Sequence, residues 1–169
     1  MVNIDQAQAD VKELYDNLEE VALKIVTSKS EPLDKLVKKL QVGIEVMGNE
    51  ELRTYMAMIS IESYNLSMCR EQSALKDACA ATLYKEGLAK SFNSASGTVD
   101  AKKNEAAIDN LDKQVVSMLY SAVSDLFKAK TDEAHRIVST ISNILISRSA
   151  DAKLQYNPRS EEVDTEIVF

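Results

Sequence analysis

The chain has 169 residues, with 20 Lys and Arg against 27 Asp and Glu, and therefore a formal net charge of −7. Apolar residues make up 45%, enough for a core, whereas four Gly and two Pro are too few for a turn-rich β-sandwich or barrel. One histidine and two cysteines cannot supply a Cys/His zinc cage or a His-rich di-metal site. The composition favours an all-α protein, and we expect no catalytic residues, no metal and no cofactor.

The beginning of the chain bears on targeting. Residues 1–5 lack the basic region and the apolar stretch of a secretory signal peptide. No stretch of the sequence approaches the ~20 apolar residues that cross a bilayer. We therefore expect a cytoplasmic protein without a membrane span, located in the host cell if the protein is viral.

The N-terminal part of the chain predicts two helices that are shorter than those that follow. Apolar residues three or four positions apart mark the face of the first helix: Ile4, Val11, Leu14, Tyr15, Leu18, Val21, Ala22 and Ile25. A polar interruption at residues 28–30 follows, and Ser30 is a good N-cap for a second helix with Pro32 in its first turn. That second helix is predicted to end at Gly48.

The third segment, residues 50–92, contains no proline and predicts a helix of about 60 Å. Its apolar stripe comprises Leu52, Tyr55, Met56, Ile59, Leu66, Cys69, Leu83 and Leu88. Cys69 and Cys79 lie ten residues apart on this helix, a rise of about 15 Å, which is too far for a disulfide between them. We expect two buried free thiols in a reducing compartment.

A polar loop around Gly97 separates this helix from a second long one over residues 104–149. The apolar spacing stays in phase through Thr131 and no Gly or Pro intervenes, which favours one long helix over two. Two helices of matched length, about 50–92 and 104–149, predict an antiparallel hairpin with residues 93–104 at its tip. The predicted fold is therefore an elongated, all-α helical bundle.

Apolar stripes of this length cannot be covered within a two-helix hairpin, because each helix touches its partner along one side only. The monomeric alternative is a four- or five-helix bundle in which the N-terminal helices cover the stripes. We favour a homo-oligomer assembled through the long helices, since Ile, Val and Leu at this spacing suit a coiled-coil seam. The predicted oligomer seam consists of Ile108, Leu111, Val115, Met118, Leu119, Ile137, Ile141 and Ile144.

His135 follows Asp132 by three residues, the spacing of carboxylate–histidine pairs in di-iron bundles. Such sites need two histidines, and this chain has one. We therefore interpret His135 as a solvent-facing helix residue.

Four lysines flank the predicted tip and are candidates for contact with nucleic acid: Lys85, Lys90, Lys102 and Lys103. Phe92 offers an aromatic ring nearby for base stacking. The long helix that ends in Leu83-Tyr84-Lys85-Glu86-Gly87, the polar loop and the long return helix resemble the layout of UvsY-type phage recombination mediators over about residues 50–149. This resemblance implies an oligomer that helps to load a recombinase on single-stranded DNA, and we carry no site residue over from it.

The end of the sequence, residues 150–169, is predicted to be an extended tail outside the helical domain of residues 1–149. Acids alternate with apolar residues there, so the tail stays soluble while it offers apolar anchors. The predicted docking residues are Val163, Asp164, Glu166, Ile167, Val168 and Phe169. About nine residues at the end of this tail resemble the acidic, Phe-terminated tails of single-stranded-DNA-binding proteins, which recruit replication and repair partners. The alternative is a tail that folds onto its own bundle or onto a neighbouring subunit.

Together these patterns predict a non-enzymatic assembly or adaptor protein, of viral origin in one interpretation, that acts as a homo-oligomer and docks a protein partner through its tail. The first alternative is a phage-type recombination mediator or single-stranded nucleic-acid accessory factor that uses the four lysines. The second is an acidic inhibitor that mimics nucleic acid in a basic cleft, which would require the acids to gather on one face.

Overall fold

The computed structural model describes the backbone of residues 4–155 and the side chains of residues 13–152 except that of Tyr15. Four helices fill this range: α1 Ile4–Gly43, α2 Asn49–Ser94, α3 Val99–Asp109 and α4 Leu111–Gln155. Residues 4–155 contain no strand. The prediction of an all-α helical fold is confirmed.

Helices α2 and α4 form the predicted antiparallel hairpin and share the most extensive helix contact. Near the tip, Asn110 donates a hydrogen bond to Ser91. At the far end, Arg148 donates to the carbonyl of Met47, just before α2 begins. A short connection, residues 44–48, returns the chain from α1 to α2, so α1 runs antiparallel to α2 and parallel to α4. The molecule is a three-helix bundle in which α3 joins α2 to α4 at the tip.

Buried positions recur every seven residues, as they do in a coiled coil. On α2 they include Leu52, Ile59, Leu66, Ser73, Ala80 and Gly87. On α4 they include Phe127, Ala134 and Ile141, and along α1 and the connection after it they include Val26, Leu33, Leu40 and Met47. The α2 side chains become smaller toward the tip. The large apolar core therefore lies in the half of the bundle far from the tip, and small or polar side chains line the hairpin nearer the tip.

Helix α1 is continuous, and the prediction of two separate N-terminal helices is wrong. Pro32 lies inside α1 and lacks the N–H that would bond the Ser28 carbonyl. Both residues are exposed, so the unpaired carbonyl is on the solvent side of the helix. Val26 and Leu33, which flank Pro32 in the sequence, pack in the same core. Their packing holds α1 together as one helix through Pro32. Ser30, the predicted N-cap, is fully buried inside α1.

The loop at the tip is shorter than the predicted range of 93–104. Only residues 95–98 are non-helical, and Gly97 has a φ of 114°, a conformation that favours glycine. Thr98 then caps α3, because its Oγ1 accepts a hydrogen bond from the N–H of Ala101.

The second arm of the hairpin is interrupted once, at Asn110, and is not a single helix from residue 104. Asn110 has a φ of −118° and a ψ of 14°, and its side chain donates to the Ala106 carbonyl. Short polar side chains that bond the nearby backbone compete with the helix in this way. No break occurs over residues 128–133, which lie inside α4. There the Thr131 hydroxyl donates to the Phe127 carbonyl one turn earlier. The prediction of a continuous helix through that region is confirmed.

One polar cluster joins α1 to α4. Lys130 Nζ lies 2.8 Å from Asp34 Oδ1 and 3.6 Å from Glu133 Oε2. Asp34 also accepts a hydrogen bond from the buried Ser30. The hydrogen bond to Asp34 raises the pKa of Lys130 above its usual value, and partial burial offsets this only in part. The cluster therefore stabilises the packing of α1 on α4 while Lys130 is charged.

We expect Lys130→Met to lower the free energy of unfolding by about 1 kcal/mol near pH 8. Because the pKa of Lys130 is higher in the folded state, its contribution is complete below the unfolded-state pKa of about 10.4 and is lost as the pH rises through the folded-state value. Urea unfolding of both proteins near pH 8 and near pH 12 measures this change. Lys130→Arg, which stays charged, is the control; its free energy of unfolding should match that of the wild type near pH 8 and should not fall below it near pH 12. A Lys130→Met deficit that is equal at both would contradict the prediction.

Candidate functional site

An exposed apolar stripe runs along the outer face of α2. It consists of Ile61, Tyr64, Met68 and Leu75, whose exposed fractions are 60%, 67%, 46% and 66%. Ile61, Met68 and Leu75 each follow a buried position by two residues, which is about 200° around the helix, so they point away from the bundle. These four residues are called the α2 stripe below.

Sequence reasoning missed the α2 stripe because α2 carries apolar residues on more than one face. Leu83, assigned to the core face from the sequence, is 56% exposed. A helix with apolar residues around much of its circumference is usually covered on several sides. A second seven-residue repeat of apolar residues, Ile61, Met68 and Leu75, could have identified the stripe. Each of its members follows a member of the core repeat by two residues.

The structure divides the predicted oligomer seam into a buried and an exposed part. Ile141 is fully buried in the intrachain core, and Leu119, Ile137 and Ile144 pack against that core. Val115 is half-buried, whereas Ile108, Leu111 and Met118 are exposed. The part of the seam far from the tip is buried within its own chain, because α1 lies parallel to α4 and covers it. The residues nearer the tip stay open to another molecule.

A groove of about 570 Å³ lies at the hairpin tip between α2 and α3. Its apolar side chains are Tyr84, Leu88, Ala89 and Phe92 on α2 and Ala106 and Ala107 on α3. Lys85 and Lys103 also line it, and no carboxylate does. Two of the four lysines predicted from the sequence therefore converge on this site, which is called the tip groove below.

The other two predicted lysines occupy different places. Lys102 Nζ lies 5.9 Å from the centroid of the Phe92 ring, a cation–π contact at the edge of the tip groove. Lys90 is exposed and does not line the groove. It follows Lys85 by five residues, which places it about 140° around the helix.

A close approach between Gly87 and Asn110 holds the tip together. Asn110 is almost fully buried, and its Nδ2 donates to Ser91 Oγ at 3.1 Å and to the Ala106 carbonyl at 2.9 Å. Its Oδ1 accepts from Lys113 at 2.6 Å. A Cβ on Gly87 would lie 1.9 Å from that Oδ1, so only glycine leaves room for the carboxamide. This junction fixes α3 against α2 and so shapes the tip groove.

The histidine and the cysteines do not form a site in the part of the chain that the structure describes. His135 is exposed on α4, with Nε2 3.3 Å from Ser63 Oγ. Within the described residues, no three His, Cys, Asp or Glu side chains gather closely enough to hold a metal ion. Cys69 is half-buried, but Cys79 is exposed, so the prediction of two buried thiols is wrong for Cys79. Cys79 precedes the core position Ala80 by one residue, about 100° around the helix.

The predicted docking residues of the tail lie outside the described residues: Val163, Asp164, Glu166, Ile167, Val168 and Phe169.

Among the helices described, none combines the length and the apolar character needed to cross a membrane. No protein-family model matches the chain, and comparison with curated proteins and with solved structures gives no match. The α2 stripe and the tip groove are the two surfaces on which a functional conclusion rests.

Proposed function

We propose that this protein is a non-enzymatic helical assembly protein that functions as a homo-oligomer, with the α2 stripe as the surface through which copies associate. The observation that carries this proposal is the exposure of four large apolar side chains along about 21 Å of one helix. Contiguous exposed apolar patches on soluble proteins mark interaction sites. Burial of the stripe against another helix would remove this surface from water.

The spacing within the α2 stripe supports a second copy as the partner. If two α2 helices pack antiparallel with Met68 opposite Met68, Ile61 of each copy lies opposite Leu75 of the other, because both are seven residues from Met68. Tyr64 then lies opposite the exposed Gln72, whose amide can bond the phenol hydroxyl. A twofold axis through Met68 gives the self-complementary surface that an isologous dimer requires.

Size exclusion with light scattering tests the association. We expect a mass of at least two copies of the 18.7 kDa chain. Met68→Glu should reduce this mass toward one copy, since two carboxylates would oppose each other at the axis.

The matched control is Val42→Glu. Val42 is 91% exposed near the end of α1, away from the α2 stripe, so this variant should keep the wild-type mass. Far-UV circular dichroism checks that both variants remain helical. A wild-type protein that is monomeric at every concentration, or a helical Met68→Glu variant with the wild-type mass, would refute the proposal.

A further inference from the structure

The tip groove has the chemistry of a site for an acidic, apolar peptide. Tyr84, Leu88 and Phe92 are spaced by four residues and form an apolar floor on one face of α2. Lys85 and Lys103 are the charged residues in its lining, which contains no carboxylate. A peptide whose apolar anchors alternate with acids can place the anchors on the floor and the acids beside the lysines.

Residues 160–169 of this chain have the complementary composition. They contain the acids Glu161, Glu162, Asp164 and Glu166 and the apolar residues Val163, Ile167, Val168 and Phe169. Three further grooves formed by the described residues have no Lys or Arg in their lining and do not match this pattern. A groove of about 300 Å³ near Leu18 is lined by Glu19 and Asp125 with no Lys or Arg, and a groove near Ile137 is lined by no charged residue.

Covalent reach decides which copy can supply the segment. Helix α4 starts beside the tip and has 45 residues, so Gln155 lies about 68 Å from the tip. Residues 163–169 follow Gln155 by 8 to 14 positions, which span at most about 50 Å of chain. The segment cannot reach the tip groove of its own chain.

We propose that the tip groove of one copy binds residues 160–169 of another copy, an inference that rests on the proposed association of copies. In the antiparallel pairing about Met68, Leu88 of one copy lies level with Gly48 of the other, because each is 20 residues from Met68. Arg148 near the end of α4 bonds the α1–α2 connection at that same level. Helix α4 of each copy, which ends at Gln155, therefore ends near the level of the opposite copy's tip groove, and the two proposed contacts are reciprocal.

Fluorescence anisotropy with a labelled synthetic peptide of residues 156–169 tests the groove. The titrant is the full chain carrying Phe169→Asp, which weakens competition from its own segment. We expect saturable binding that Lys85→Glu combined with Lys103→Glu weakens about tenfold or more. The matched control, Lys90→Glu, lies on the same helix outside the groove and should change the affinity by less than about twofold.

The outcomes separate this proposal from its alternatives. Failure of the peptide to bind, or an equal loss with Lys90→Glu, overturns it. A labelled oligodeoxythymidine that binds in a salt-sensitive manner through Lys85 and Lys103, when the peptide does not bind, would assign the groove to single-stranded nucleic acid instead.

Repeating the peptide titration with the Met68→Glu variant distinguishes the groove proposal from the proposed association through the α2 stripe. Peptide binding by a monomer supports the groove whatever the oligomer test gives, and a stripe-dependent dimer without peptide binding refutes the groove alone.

A photo-crosslinker tests whether the contact joins two copies. With Phe169 replaced by p-benzoylphenylalanine, irradiation should produce a covalent pair of twice 18.7 kDa, crosslinked at the tip groove. A crosslink to the tip groove within a single chain would overturn the inference.

Discussion

Replacing Ile141 with alanine is expected to lower the free energy of unfolding by about 2–5 kcal/mol. Ile141 has no exposed surface and contacts the core shared by α1, α2 and α4. The shorter side chain loses apolar burial and leaves a cavity that the close-packed helices fill only in part. Urea unfolding followed by circular dichroism at two protein concentrations measures the loss. Because Ile141 packs against helices of its own chain, we expect a similar loss of unfolding free energy at both concentrations.

Ile108→Ala is the matched control for this prediction, because the sequence places both isoleucines in the same seam. Ile108 is 75% exposed, so its replacement should change the free energy of unfolding by less than about 0.5 kcal/mol. If Ile141 faced a second copy instead, Ile141→Ala would lower the mass in light scattering and its effect would depend on concentration. Either of those results would contradict the packing described for α1.

Replacing Gly87 with alanine should cost about 1–3 kcal/mol of stability, even though alanine gains about 1 kcal/mol over glycine as a helix former. The new methyl group would occupy the place of Asn110 Oδ1. Rotation of the Asn110 carboxamide would relieve the clash but would break its hydrogen bonds to Ser91 and Ala106. Buried polar groups left without partners account for the loss. Urea unfolding is again the measurement.

A double-mutant cycle with Asn110→Ala identifies the cause. If the clash with Asn110 is responsible, the double variant should be more stable than the sum of the single effects predicts, by about 1 kcal/mol or more. Gly48→Ala is the matched control, because nothing lies within 4 Å of the position of its Cβ and its φ is −70°. That variant should be unchanged or slightly stabilised. Additive losses for Gly87→Ala and Asn110→Ala would refute the proposed junction.

The two surfaces proposed for association would reinforce each other. Contact through the α2 stripe would hold residues 160–169 of one copy near the tip groove of the other, which raises the effective concentration of the segment. Reciprocal docking would in turn oppose separation of the two α2 helices. A weak groove contact could therefore contribute to a stable dimer without a large interface of its own.

The long helical arms could be predicted from the sequence because a helix is a local structure. Apolar residues at three- and four-residue spacing on both sides of Thr131 indicate one continuous helix, and α4 is continuous there. The same reasoning failed at Pro32, where a local breaker is tolerated because core contacts on both sides hold α1 together. It failed again at Asn110, which resembles an ordinary polar helix residue until Gly87 lies against it.

The two surfaces that we propose for association could be predicted only in part. The sequence identified Lys85 and Lys103 as residues near the tip, but it could not separate them from Lys90, because the separation depends on where α3 lies across α2. The α2 stripe was missed for a related reason. Ile61 and Ile59 are equally apolar, and only the placement of α1 and α4 buries one and exposes the other.

Periodicity, composition and the scarcity of Gly and Pro are enough to predict an all-α protein built on a long hairpin, because they act through local backbone geometry. Which apolar faces are covered and which lysines share a groove depend on how the helices pack. Those properties depend on the register and rotation of helices that are far apart in sequence, and a rotation of one residue moves a side chain about 100° from core toward solvent.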